Sequence, residues 1–320
     1  MLSGASVFIT GGAGFIGSTL AARLVDHNRV TLFDNFRRDA LSSTSLATHP
    51  NVTIVRGDIL DRASLETAMA THTHVVHCAA IAGIDTVAAS PVTTMRVNML
   101  GSANVLEAAA ALDSCRRVVC FSTSEVFGRH AFRVSERSDS VVGAVGEPRW
   151  TYAVSKLAEE HLAIAYHQEF GVPTTVVRPF NVYGPGQVGE GAIRNFLQRA
   201  LRNDPIQIYG DGSQIRAWCY VDDMVRCVLA TLEHPAAVGE TFNVGNVTAV
   251  ETTTGLAERV VRVTGSASTI THVPRDAPDV ELRVPSVDKA RDLLGFTAEV
   301  GLDEGIARSA AWMREQVAAS

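Results

Sequence analysis

The chain has 320 residues, 46% of them hydrophobic and 19% charged, with a formal net charge of -6. Those proportions fit a globular protein with an ample core and exclude a disordered or fibrous chain. A mildly acidic balance without basic runs argues against a general nucleic-acid binder, and no apolar stretch reaches the length of a membrane span.

In chain order, residues 6–10 read as a short strand running into a glycine cluster, and residues 15–25 carry helical periodicity. Residues 30–33, 52–55, 75–78, 118–121 and 174–177 are further β-rich runs, with helical stretches at 62–70, 92–111 and 152–170 between most of them. Strand and helix repeated at this spacing predict parallel β-α-β units with right-handed crossovers, hence an α/β fold with a doubly wound sheet. After Pro179 the pattern loosens into a turn-rich segment at 183–191, a helix at 192–202, a strand at 206–209 and a Gly-Asp-Gly turn at 210–212. A helix over 220–232, a strand at 241–244 and helices near 254–264 and 303–317 complete the reading.

Thr10 to Gly17 reads T-G-G-A-G-F-I-G, which satisfies both G-x-G-x-x-G and T-G-x-x-G-x-x-G. Gly11, Gly14 and Gly17 permit a tight turn and close approach of a pyrophosphate, whose charge rests on the N-terminus of the helix that Phe15 and Ile16 open. Asp34, at the end of the second strand and followed by Asn35, is placed to accept from the adenosine ribose hydroxyls. Its charge opposes a 2′-phosphate, so NAD is expected over NADP, with Arg37 and Arg38 read as solvated loop arginines. Asp58, followed by Ile59, can accept from the adenine amino group or cap the next helix. The expected division is an NAD-binding Rossmann domain of residues 1–180 with a returning segment at about 217–245, and a smaller substrate domain from 181–216 and 246–320.

Tyr152 and Lys156 lie four residues apart in a predicted helix, so phenol and ammonium share one face. A cation beside a phenol favours phenolate, which suits the tyrosine to exchange a proton with a substrate alcohol. Five cysteines show no C-x-x-C spacing and read as free thiols, and His72, His74 and His77 have no partner that completes a metal set. The first residues lack the features of a signal peptide, so a cytoplasmic location is expected.

With these motifs, H-C-A-A at 77–80 including Ala79 and Ala80, S-T-S-E-V-F-G at 122–128 and R-P-F-N-V-Y-G-P at 178–185, the sequence resembles an extended short-chain dehydrogenase/reductase of the nucleotide-sugar epimerase/dehydratase family. The likeness implies a tightly held NAD that oxidises carbon 4 of a nucleotide-diphosphate sugar to a 4-keto intermediate. It implies that Tyr152 is the base, that Lys156 holds the nicotinamide ribose, and that Thr123 hydrogen-bonds the reacting oxygen. Asn181 would contact substrate and Arg216 would neutralise the diphosphate, a role that suits a planar guanidinium. In this family the helices at 92–111 and 152–170 pair across a two-fold axis, so a homodimer is expected.

Three reactions diverge from the 4-keto intermediate: decarboxylation, 4,6-dehydration and 4-epimerisation. Ser124 and Glu125 after Thr123, together with Pro148, Arg149 and Trp150 before Tyr152, are similar to UDP-glucuronate decarboxylases, with Arg149 a candidate substrate contact. Some dehydratases share Ser-Glu, and 4-epimerases usually lack the glutamate. The short loop at 186–191 holds no arginine for a sugar carboxylate; Arg194 is the nearest candidate. A non-catalytic dinucleotide-binding regulator is the rival class, and retention of Thr123, Tyr152 and Lys156 argues against it.

Overall fold

The computed structural model describes residues 2–42, 44–274 and 280–319. It opens with β1 (Ser6–Thr10), α1 (Phe15–Leu24), β2 (Arg29–Asp34), β3 (Val52–Arg56), α2 (Arg62–Met69) and β4 (His74–His77). Next come α3 (Ile84–Ala89), α4 (Pro91–Met95), α5 (Gly101–Ala110), β5 (Arg117–Phe121), β6 (His130–Val134), α6 (Thr151–Phe170) and β7 (Thr174–Pro179). The chain continues through β8 (Val182–Tyr183), α7 (Ala192–Ala200), β9 (Ile206–Tyr209), β10 (Ile215–Ala217), β11 (Cys219–Tyr220), α8 (Val221–Glu233) and β12 (Thr241–Val244). It closes with β13 (Val250–Thr252), α9 (Thr253–Thr264), β14 (Ile270–Val273), β15 (Leu282–Pro285), α10 (Asp288–Leu294) and α11 (Leu302–Ala319).

Among the described residues, one sheet has seven strands in the order β12-β7-β5-β4-β1-β2-β3, all paired in parallel. The order reverses direction at β1, which is the switch point where a doubly wound sheet opens a crevice beyond its carboxyl ends. β1 and β5 are buried along their full length, the reason these runs are continuously apolar and do not alternate. Helices cover both faces: α2, α5 and α6 pack around Phe8, Val75 and Val118, while α1 and α8 pack around Ile9, Val76 and Val119. β12 returns late in the chain to pair beside β7.

A third apolar cluster, built on Phe196, Leu256 and Ile306, joins α7, α9 and α11. Beside it, β13, β10, β15 and β6 form a four-stranded sheet that the sequence reading did not anticipate. These strands are short and come from distant parts of the chain, so no local periodicity announces them.

The helix expected over 92–111 is not uniform. Pro91 occupies its first turn, and a π-helical segment, Arg96–Leu100, joins α4 to α5. Asn98 lies buried in that segment and uses its carboxamide fully: it accepts from Ile81 N at 2.8 Å and donates to Ile81 O and Ser155 Oγ, each at 3.0 Å. The bulge thus ties the strand-following loop to α6, the helix of Tyr152. All five cysteines are free; Cys120, Cys219 and Cys227 are buried, and Cys78 and Cys115 are partly exposed. Among the described residues no helix is long and apolar enough to cross a membrane.

Candidate active site

A cleft of about 1760 Å³ runs across the carboxyl ends of β1, β2, β4 and β5 and continues between α7 and the four-stranded sheet. That volume accommodates a dinucleotide and a nucleotide sugar together, above the usual range for a single drug-sized ligand. Its floor is the glycine turn. Gly11 sits at φ +69°, and a Cβ there would meet Ala79 N at 2.6 Å; a Cβ on Gly17 would meet Gly11 O at 2.4 Å. The backbone is therefore bare where a pyrophosphate would approach, and α1 begins directly behind it.

The expected cofactor residues line this cleft, including Phe15, Ile16, Asn35, Ile59 and Ala80. Asp34 both lines it and holds it together: its carboxylate accepts from Ala13 N at 2.9 Å and Phe36 N at 2.7 Å. Burial raises its pKa, against the lowering effect of those two N–H groups. Asp58 accepts from Leu60 N at 2.9 Å, while Asp61 is the residue that caps α2. The capping role considered for Asp58 thus belongs to its neighbour three residues on, which leaves Asp58 at the cleft wall.

Arg38 is not a solvated loop arginine. Its Nη2 donates to Ala82 O at 2.9 Å and to Thr86 Oγ1 at 3.1 Å, next to Glu190, whose carboxylate accepts from Asp85 N, Thr86 N and Thr86 Oγ1. This clasp links the segment after β2, the start of α3 and the loop before α7 over one side of the cleft. Nothing in local sequence signals it, because Glu190 and Thr86 are 104 residues apart.

At the far end Thr123, Ser124, Glu125, Tyr152, Lys156, Asn181 and Arg216 all face the cleft. Tyr152 hydrogen-bonds Thr123, the residue that also caps a 3-10 turn over Ser124–Phe127 by accepting from Glu125 N. Burial raises the Tyr152 phenol, Lys156 lowers it, and Glu125 and Glu159 raise it, leaving it above its ordinary value. Lys156 acts in the expected direction, but burial first, and then the two carboxylates, oppose it. Asn181 adopts a left-handed φ of 41° and donates to Ala217 O at 2.8 Å, joining β8 to the end of β10. Arg216 on β10 donates to Val280 O at 2.9 Å and still lines the cleft.

Two placements depart from expectation. Arg149 does not line the cleft; it stands behind Glu125, donating to its carboxylate at 2.6 and 3.2 Å with its guanidinium 5.2 Å from the Trp150 ring. Arg194 donates to Gln187 O at 3.0 Å and Gln198 Oε1 at 3.3 Å and is likewise absent from the cleft wall.

The arginine that the sequence reading missed is Arg283, on β15 in register with Arg216 on β10. It lines the cleft, is only 4% exposed, and contacts Glu125 at 3.4 Å. Among the described residues its Nε and Nη2 find no partner. Burial pushes its guanidinium down to about 10, partly offset by Glu125, so it stays charged at neutral pH. Burial would raise the Glu125 carboxyl, but Arg283 and Arg149 outweigh it and hold it below the usual carboxylate value. The only local hint is an arginine between Leu282 and Val284, in a stretch too short to announce a strand.

A glycine turn at a switch point and a Tyr-Lys-Thr group at the same cleft are what a family of dinucleotide enzymes shares. The model of the NAD dependent epimerase/dehydratase family matches residues 7–245. The chain belongs to that family. It is an NAD-dependent enzyme of that family. A UDP-N-acetyl-alpha-D-glucosaminuronate decarboxylase of Bacillus cytotoxicus is 35% identical to it over 96% of this chain and 97% of that protein. UDP-glucuronic acid decarboxylase 1 of Arabidopsis thaliana is 32% identical over 97% of this chain and 70% of the relative. Among solved structures, an epimerase from Methanothermobacter thermautotrophicus superposes with a TM-score of 0.91 at 30% identity, covering 99% and 94% of the two chains. A UDP-glucuronic acid 4-epimerase from Bacillus cereus, in complex with UDP-glucuronic acid and NAD, superposes at 0.89 with 27% identity, covering 97% and 99%.

Proposed function

We propose that this enzyme oxidises carbon 4 of a nucleotide-linked sugar acid and releases the acid's carboxylate as carbon dioxide, a UDP-glucuronate decarboxylase-like reaction. The observation that carries this reading is Arg283: a buried guanidinium with two unpartnered donors beside Glu125 in the cleft that holds Tyr152. A planar guanidinium with two donors that no described residue engages suits a carboxylate. The relatives named above include decarboxylases of nucleotide-linked sugar acids.

The glycine turn, Asp34 and Asp58 would hold NAD, which would supply the hydride acceptor. Tyr152 takes the proton of the sugar 4-hydroxyl, and Thr123 hydrogen-bonds the same oxygen. Lys156 keeps a positive charge beside the phenol. Once the 4-keto group exists, the carbon 6 carboxylate is β to a carbonyl; its bond to carbon 5 breaks, carbon dioxide leaves, and the electron pair passes onto the keto oxygen as an enolate. Water supplies the proton to carbon 5, and the hydride would then return to carbon 4 with the proton held by Tyr152, which leaves a pentose and carbon dioxide as the balanced products. Thr123 and Tyr152 are placed to hydrogen-bond the developing oxyanion. Arg216, toward the four-stranded sheet, neutralises the diphosphate. Glu125, held ionised by two arginines, braces Arg283 and Arg149. The seven-stranded sheet with its returning β12 serves as the NAD domain and the remainder as the sugar domain. A cytoplasmic homodimer through α5 and α6 is the assembly this reading carries.

A second reading has one specific support: a solved neighbour at TM-score 0.89 is a UDP-glucuronic acid 4-epimerase bound to UDP-glucuronic acid. Arg283 would hold the same carboxylate there, and the two reactions part only over whether it is lost. Incubation with UDP-glucuronate, UDP-N-acetylglucosaminuronate and their neutral counterparts, read by product mass, decides. Loss of carbon dioxide from an acid sugar is expected; an unchanged mass with a new sugar isomer would establish the epimerase instead. Tyr152→Phe is expected to lower turnover by at least ~10³-fold while bound NAD remains.

A further inference from the structure

The polar groups behind Lys156 form a connected set that the steps above do not use. Lys156 Nζ donates to Glu159 Oε2 at 2.6 Å, one turn along α6, and the two side chains are 2% and 0% exposed. Ser102 on α5 lies beside Glu159, its hydroxyl donating to Asn98 O. Ser102 Oγ also meets His77 Nε2 at 2.8 Å, and His77 Nδ1 meets Thr10 Oγ1 at 2.7 Å. A buried polar run therefore leads from the end of β1, where the glycine turn begins, to the ammonium beside Tyr152.

We propose that Glu159 is a positioning residue: its carboxylate aims the Lys156 ammonium and keeps it charged, and its field, opposed to that of the ammonium, sets the basicity of the Tyr152 phenol. This rests on reading Tyr152 and Lys156 as the proton-transfer pair under Proposed function. The physical case is simple. An ammonium beside a phenol favours phenolate, and a carboxylate behind that ammonium cancels part of the attraction. Both charges are buried, where salt screens little.

The groups facing Glu159 are Lys156, Tyr152 and Glu160 on α6, Ser102 on α5, Cys120 on β5 and Cys78 just beyond β4. Lys156 is the cation among them. Burial holds His77 neutral, lowering it to about 3, and pushes the Cys78 and Cys120 thiols up, so neither carries charge at neutral pH. Glu160 is turned away to Arg178, whose Nε donates to it at 3.0 and 3.1 Å. The balance felt by Tyr152 from behind is thus Lys156 against Glu159. Burial would strip the Lys156 proton; Glu159 together with Tyr152 outweighs that effect and raises the ammonium above its ordinary value.

The test is a pH titration of the NAD-loaded protein by phenolate difference absorbance, with the Tyr152→Phe variant subtracted to isolate one of the five tyrosines. Glu159→Gln is expected to move the Tyr152 midpoint by about one pH unit, downward where Lys156 keeps its proton and upward where burial takes that proton, and Glu159→Asp is expected to leave it near the parent value. An unchanged midpoint in Glu159→Gln overturns the proposal. Should that variant fail to fold with a buried lysine unpaired, Lys156→Met is compared with Lys156→Met/Glu159→Gln, which removes both charges together. The double variant is expected to titrate at lower pH than the single; equal midpoints overturn the proposal. No turnover is needed, so this result stands apart from whether any nucleotide sugar is consumed.

Discussion

Replacing Arg283 by methionine separates its role toward a substrate from its role in the fold. The side chain offers two donors, Nε and Nη2, that no described residue engages. A hydrogen bond to a charged partner contributes about 1.5–3 kcal/mol, so loss of both costs a bound carboxylate about 3–6 kcal/mol. That corresponds to a fall of about 10²- to 10⁴-fold in kcat/KM for an acid sugar. The fold should survive, because Glu125 keeps Arg149 at 2.6 and 3.2 Å and loses only the longer contact at 3.4 Å. Arg283→Lys keeps the charge without the fork and should recover part of the loss. The assay is carbon dioxide release from the acid sugar, beside affinity for the neutral sugar carrying the same nucleotide. A Met variant that decarboxylates within about threefold of the parent, or that weakens the neutral sugar equally, would show that Arg283 does not hold the carboxylate.

Glu125→Gln is expected to destabilise more than Arg283→Met, by about 3–5 kcal/mol, since it removes the one carboxylate that both buried guanidinium groups contact; thermal denaturation at neutral pH reads this. Because the folded-state pKa of Glu125 lies below its ordinary value of 4.5, its contribution is present above that value and is lost as pH falls through the folded pKa. The gap in melting temperature between parent and Glu125→Gln should therefore narrow only below about pH 4.5, and a constant gap would refute the pairing. Gly17→Ala places a Cβ 2.4 Å from Gly11 O, so the turn must open. The purified variant is expected to lose bound NAD, measured on the released cofactor, and full occupancy would remove the turn from the cofactor site.

Much of the cofactor end is legible locally. The glycine turn, the strand before it and the helix after it are contiguous, so spacing alone states their geometry, and Asp34 ends the next strand of the same unit. The Tyr152 and Lys156 pair is equally local, since helical periodicity puts both on one face. The substrate end is another matter. Glu125 meets an arginine 158 residues away in sequence, and Glu190 caps the start of α3 across 104 residues. Short strands such as β10 and β15 owe their existence to pairing, so neither their presence nor the inward aim of Arg283 follows from composition.

The sequence by itself therefore determined the α/β sheet, the glycine turn and the placing of Tyr152 and Lys156 on one helix face, because each is written in contiguous residues whose backbone periodicity dictates who faces whom. Tertiary structure alone brought Arg283 beside Glu125 at the cleft, moved Arg149 behind Glu125, and set Glu159 against Lys156. The reason is physical: whether a charge is paired or open depends on what burial brings beside it, and burial joins residues that the chain keeps far apart.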